Sequence, residues 1–176
     1  VPELASRSHL EILQRIVVEV FRKSKIKPKQ IDVFTATCGP GLIGSLLVGS
    51  TFTKSLAIGC GKPFIPINHL EGHVLSTSFN NSIKYPNLIL LLTGGHTQIY
   101  LMMNDKKIKL IGETVDDAIG EAFDKTAKLM GLNYPGGKEI EERAQYGDEN
   151  YFKIPKPLIN EDNLNFSFSG IKTHIN

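Results

Sequence analysis

Residues 68–73 read NHLEGH, with His69 and His73 four apart around Glu71. On a helix, side chains four apart lie one above the other, so both imidazoles can turn a nitrogen toward one ion, as first-row divalent metals require. The competing reading is that one histidine caps a helix and the other packs. A metalloprotease of the HExxH type needs its general-base glutamate directly after the first histidine. Here the order is HLEGH, so Glu71 is rotated about 100° from that place, and hydrolysis by that scheme is disfavoured. Two imidazoles are also too few for a metal site, and further ligands must come from elsewhere.

A second constellation is TGGHT at 93–97. Gly94 and Gly95, flanked by Thr93 and Thr97 between strand-like runs, offer backbone N–H groups that can approach a phosphate closely. A hairpin turn with Gly-Gly for purely conformational reasons is the plainer alternative, and His96 is then a turn residue instead of a ligand contact. Downstream, DDAIGEAFDK at 116–125 is acidic at a helix start, which the helix dipole favours. Asp124 lies beyond the first turn, and with the GLNYPGG loop it becomes a candidate, together with Gly137, for a ribose or base contact; an exposed carboxylate is the alternative. FSFSG at 166–170 reads as a strand with an apolar face built from Phe166 and Phe168, and Lys172 as a solvated lysine or a contact for an anion or RNA backbone.

The elements that must position these groups follow from hydrophobic spacing. Leu10, Leu13, Ile16, Val17, Val20 and Phe21 predict an amphipathic helix over 8–25, capped by Ser6 or Ser8. Residues 31–37 (IDVFTAT) predict a buried strand. Glycines 39, 41 and 44 predict a tight turn into a helix, SLLVGSTFTKSLAIG, packed closely on a sheet. FIPIN is a short strand that delivers the chain into NHLEGH. Beyond a polar loop with Asn80, Asn81 and Pro86, the runs NLILLLT, TQIYLMM and KIKLIGET predict an antiparallel meander, with a turn at Asn104 and Asp105. Helices over 117–130 and 138–145 follow, and the boundary between an α/β half and a meander-plus-helices half falls near 79–86.

The chain has 176 residues, 41% hydrophobic and 22% charged, with a formal charge of +2. No overall basic character forces a nucleic-acid partner. The two cysteines, Cys38 and Cys60, form neither a disulfide framework nor a CxxC zinc pair, which makes a reducing, cytoplasmic setting the expectation. No uncharged apolar run reaches the roughly 18 residues of a membrane span, so no membrane partner is expected. The chain opens on Val1 without a Met and stops in IKTHIN just after a motif, and a fragment is expected.

VPELASRSH, GPGLIGSLLVG, NHLEGH, LLTGGHTQIY, GETVDDAIGEAFDKTAKLMGLNYPGG and FSFSGIKT, in this order and over nearly the whole chain, resemble the tRNA threonylcarbamoyladenosine transferases of the bacterial TsaD type, formerly labelled glycoproteases. The resemblance implies an α/β, actin-like ATPase fold (ASKHA, ribonuclease H-like) in partial form, with residues 1–85 as the end of the first lobe and 86–176 as the start of the second. It implies transfer of the threonylcarbamoyl group from threonylcarbamoyl-AMP to the adenosine beside the anticodon in tRNAs that read ANN codons. On it, His69 and His73 hold one iron or zinc ion. Leu92, Thr93, Gly94, Gly95, His96, Asp124 and Gly137 contact the acyl-adenylate. Other subunits of the threonylcarbamoyladenosine synthesis complex are implied partners.

The family's ETSCDE-like phosphate motif is not found before the matched region. Its GGVAAN-type loop and the DNG-type aspartate that supplies the third protein ligand are not found after it. Thr93 stands where serine is usual, and Leu91 where an archaeal-type tyrosine ligand would be. The alternatives are a non-catalytic relative within the same complex, against which the two histidines argue, and, weakest, a metalloendopeptidase.

Overall fold

The computed structural model describes residues 2–79 and 82–175, and the side chains of all of these but Pro2 and Glu3. Asn80 and Asn81, expected in the polar loop, lie outside the described residues. The chain divides into two compact units, Val1–Ser76 and Thr77–Asn176.

In the first unit, α1 spans Pro2–Ser24. It begins a turn and a half earlier than apolar spacing predicts, because a proline fits the first turn of a helix, where its missing N–H costs nothing. Ser6 and Ser8 are therefore inside the helix and cap nothing. Ser6 Oγ instead meets Ser45 Oγ at 3.0 Å, and a side chain on Gly44 would come within 3.1 Å of that same oxygen. Of the six apolar positions expected to face a core, Leu13, Val17 and Phe21 are half-buried, whereas Leu10, Ile16 and Val20 are exposed.

A one-turn 3-10 segment at Pro28–Gln30 leads to β1, Phe34–Gly39. The strand starts three residues later than expected, and only Phe34 in it is buried. Ile31, expected to begin the strand, instead closes the 3-10 turn, its N donating to Pro28 O at 3.1 Å. Helix α2, Ile43–Cys60, ends at Gly61, whose left-handed conformation (φ 64°) suits a residue without Cβ. It crosses to β2, Phe64–Asn68, which pairs parallel to β1 with Phe34 opposite Phe64 and Gly39 opposite Asn68. This is one βαβ unit. By length and composition α2 could cross a membrane, although Lys54 interrupts it. Its Ile43, Leu47 and Ile58 are exposed. Helix α3, His69–Ser76, follows β2 without a loop.

The second unit opens with β3 (Asn87–Leu92), β4 (Thr97–Asn104) and β5 (Lys107–Glu113), an antiparallel sheet in sequence order. The expected meander is present, and its second turn is tied by Lys106 N to Asn104 Oδ1 at 3.0 Å. The core runs along β4 through Thr97, Tyr100 and Met102, with Leu91 from β3 and Ala118, Thr126 and Ala127 beyond the sheet. Helices α4 (Ile119–Leu129), α5 (Gly137–Ala144) and α6 (Ser169–Ile175) complete the unit.

FSFSG does not form the expected strand. It makes a single parallel bridge, Phe166 to Thr114, and then enters α6. The cause is a distant carboxylate. Asp116 accepts from Ser167 Oγ at 2.5 Å, Phe168 N at 2.8 Å, and Ser169 through both Oγ at 2.8 Å and N at 3.2 Å. Desolvation alone would raise the pKa of Asp116, but these four donors outweigh it and hold the carboxyl well below the ordinary carboxylate range.

Candidate functional site

The histidine pair is built by one capping residue. Asn68, the last residue of β2, accepts with its Oδ1 from Leu70 N at 2.9 Å and Glu71 N at 3.5 Å, which starts α3 at His69. Leu70 and Val74, about 100° round this short helix from the pair, are its buried residues. His69 and His73 thereby fall on successive turns, with ring centroids 5.7 Å apart and planes at 76°. That spacing is compatible with one ion held at about 2.0–2.1 Å from a nitrogen of each ring. His73 is exposed, His69 half-buried, and Glu71 exposed. Among the described residues no third His, Cys, Asp or Glu joins the pair. The donor set therefore fits two ligands of an ion and does not complete a site.

In the second unit the turn 93–96 joins β3 to β4, with Leu92 paired opposite Thr97. Thr93 organises it. Its Oγ1 accepts from His96 N at 2.9 Å and Gly95 N at 3.3 Å, and its own amide donates to His96 O at 2.9 Å. Two amides that could have faced a phosphate are thus turned toward a hydroxyl within the turn. What the outer side offers at Gly94 and Gly95 is bare backbone. Neither glycine has a positive φ, and a Cβ built on either meets nothing within 4 Å. The fold does not require glycine at these two places.

Helix α4 gathers the remaining groups. Thr97, almost wholly buried, accepts Ile119 N at 2.8 Å through Oγ1, tying the first turn of α4 to β4. Gly120 then lies directly against the turn: a Cβ there would stand 2.8 Å from Gly94 Cα and 2.9 Å from Thr93 O. One helical turn on, Asp124 accepts Gly136 N at 2.8 Å. Gly136 in turn packs its backbone on Ala127, and Gly137 opens α5 with Phe123 as its nearest neighbour. Gly120, Asp124 and Ala127 share one face, since they are four and three residues apart. The Thr93 to His96 turn and the Asp124 to Gly136 contact are therefore organised along one side of α4.

The other side of α4 is apolar. Ile119, Ala122, Phe123 and Thr126 line a cavity of about 310 Å³ with Ile140, Ile154 and residues of α6. From beyond the middle of the helix Lys125 reaches back to Asp117 at 2.6 Å and Glu121 at 2.9 Å, which raises the lysine pKa. Lys172 lies half-buried on α6. The structural roles of Asp116, Thr97 and Gly120 around these groups are ones that sequence reading missed. Only the repeated Ser-x-Ser opposite a doubled aspartate could have drawn attention to Asp116.

A profile of the family described as tRNA N6-adenosine threonylcarbamoyltransferase (TsaD) matches residues 1–176. The chain belongs to the TsaD family. Curated TsaD relatives with that same name include one from Rickettsia massiliae, 52% identical over 175 residues, and one from Rickettsia canadensis, 50% identical; each alignment covers 99% of this chain and 51% of the relative. The relative from Bartonella tribocorum is 50% identical, with 99% of this chain and 48% of that protein covered. The chain thus spans about half the length of the TsaD relatives it matches.

Proposed function

We propose that this chain carries the metal-binding histidines and part of the acyl-adenylate site of a tRNA N6-adenosine threonylcarbamoyltransferase. The observation that carries the reading is the 93–96 turn, bare at Gly94 and Gly95 where the fold itself asks for no glycine, in a chain similar from end to end to transferases of that name. Backbone without side chains lets a ligand approach closely. Thr93 keeps that backbone in one conformation, and Asp124 fixes the loop before Gly137 on the same side of α4.

In the reaction, the exocyclic amine of the tRNA adenosine attacks the carbamoyl carbon of threonylcarbamoyl-AMP. A C–N bond forms, the C–O bond to the phosphate breaks, AMP leaves with that oxygen, and the amine gives up a proton. Residues 92–96, Asp124 and Gly137 bind and orient the acyl-adenylate, so the chemistry gains mainly from positioning. His69 and His73 would hold a divalent ion, iron or zinc, which when bound supplies Lewis acidity toward the acyl or phosphoryl oxygen. The two units correspond on this reading to the end of one actin-like lobe and the beginning of the next, acting in the cytoplasm with other subunits of the threonylcarbamoyladenosine synthesis complex.

A chimera tests the assignment. Residues 1–176 replace the aligned half of the Rickettsia massiliae relative, and threonylcarbamoyladenosine is measured in tRNA by mass spectrometry. Modified tRNA above a chimera with Gly94 and Gly95 both changed to Val is expected. A folded chimera no better than that variant, beside an active parent, would overturn the reading and favour a non-catalytic relative.

A further inference from the structure

We infer that Gly120 is a positioning residue for the 93–96 turn, acting through Gly94 and not by touching ligand. The inference rests on the reading of that turn as an acyl-adenylate contact. Two independent contacts lock the turn to α4. One is steric: Gly94 Cα and the Thr93 carbonyl oxygen occupy the space that a Cβ on residue 120 would need, at 2.8 and 2.9 Å, closer than side-chain carbons approach such atoms, with Gly94 N at 3.2 Å beside them. The other is a hydrogen bond one residue earlier, from Ile119 N to the buried Thr97 Oγ1 at 2.8 Å. Thr93 and Thr97 bracket the turn, so its two ends are fixed by hydroxyls and its middle by the absence of one methyl group.

The contrast with Gly94 and Gly95 separates two reasons for glycine. At 120 the missing side chain is filled by the protein's own backbone, whereas at 94 and 95 the space is open. Residue 120 is also helical and not at positive φ, so local conformation gives no reason for glycine there, and alanine would ordinarily be the better helix former. Adding a methyl group must push the turn away from α4 or tilt the first helical turn. Either motion shifts Gly94 relative to Asp124, four residues along the same face.

The test uses the chimera in which residues 1–176 replace the aligned half of the Rickettsia massiliae relative, with AMP as probe, unsubstituted (wild type) and as Gly120→Ala, Thr97→Val, Thr97→Ser and Gly112→Ala. Gly112 is the structural control, since its missing side chain admits the Leu164 carbonyl away from the turn. Calorimetric titration gives affinity, thermal melting gives stability, and hydrogen exchange follows the Gly95 and His96 amides. Expected are at least tenfold weaker AMP binding and at least tenfold faster exchange of those amides in Gly120→Ala and Thr97→Val. Thr97→Ser stays near wild type, and Gly112→Ala melts lower with unchanged affinity.

Equal affinity and equal exchange in Gly120→Ala and wild type would overturn the proposal. So would Gly112→Ala losing affinity in step with its stability, as Gly120→Ala does. If wild type binds no AMP, the ligand reading of the turn fails, and the exchange rates alone then decide whether Gly120 positions it. If Gly120→Ala does not fold, the Thr97 pair decides: loss in Val with retention in Ser supports the lock, and no difference contradicts it.

Discussion

Asp116 holds Ser169 twice, accepting its hydroxyl at 2.8 Å and its amide at 3.2 Å across 53 residues of chain. Ser167 and Phe168 complete the same grip. One carboxylate therefore fixes the entry of α6 against the turn that leads into α4, and its ionised form does so best, because each partner is a donor and protonation turns one of its acceptor positions into a donor.

Acid should loosen this contact. The folded state holds Asp116 below its ordinary range, so its contribution is complete above the unfolded-chain pKa of about 3.9 and is lost as pH falls through the folded value. Asp116→Asn is expected to flatten the acid limb of a stability-versus-pH curve. After discounting for solvent exposure, Asp116→Ala should cost about 1–2 kcal/mol at neutral pH. Urea melts at several pH values check both, and parallel curves for wild type and Asp116→Asn would refute the assignment.

Thr93 offers a second substitution series. Its hydroxyl accepts two amides of its own turn. Thr93→Val keeps the shape and removes the acceptor, and is expected to cost about 1–2 kcal/mol. Thr93→Ser keeps the oxygen and should stay within about 0.5 kcal/mol. Amide exchange of Gly95 and His96 reports the local effect, and identical exchange in the valine variant would show that the hydroxyl organises nothing.

Metal content tests the histidine pair. Protein purified with iron or zinc should retain more metal by mass spectrometry than the double variant His69→Ala, His73→Ala, with single variants near the double, since one imidazole is a poor site. Equal retention across all four would remove the pair from any metal role.

Leu10, Ile16 and Val20 on α1 and Ile43, Leu47 and Ile58 on α2 are exposed, and exposed apolar surface favours association where it is contiguous. Concentration-dependent self-association by sedimentation is expected, with a urea midpoint below that of the full-length Rickettsia massiliae relative. A monomer at high concentration, with an equal midpoint, would contradict this.

Local patterns in the sequence reached the elements and not the contacts between them. The alternation in β3 to β5 and the acidic start of α4 were readable, as was the helical spacing of His69 and His73, which Asn68 enforces from the adjacent position. The start of α1 was misplaced because Ser6 and Ser8 are good caps locally, while Ser45 engages Ser6 from a distant helix. FSFSG alternates as a strand should, yet Asp116 draws both serines to one side. The role of Gly120 was invisible for the same reason: a glycine inside a helix looks like a weakness until the backbone of Gly94 is found in the vacated space.

The most direct test of the ligand reading separates fold from binding at the two bare glycines. Gly94→Ala and Gly95→Ala should change stability by no more than about 1 kcal/mol, because backbone and space both tolerate a methyl group. Titration of threonylcarbamoyl-AMP into the same proteins should nevertheless give binding at least tenfold weaker than wild type. Affinities indistinguishable from wild type in both variants would contradict the claim that this turn meets the acyl-adenylate.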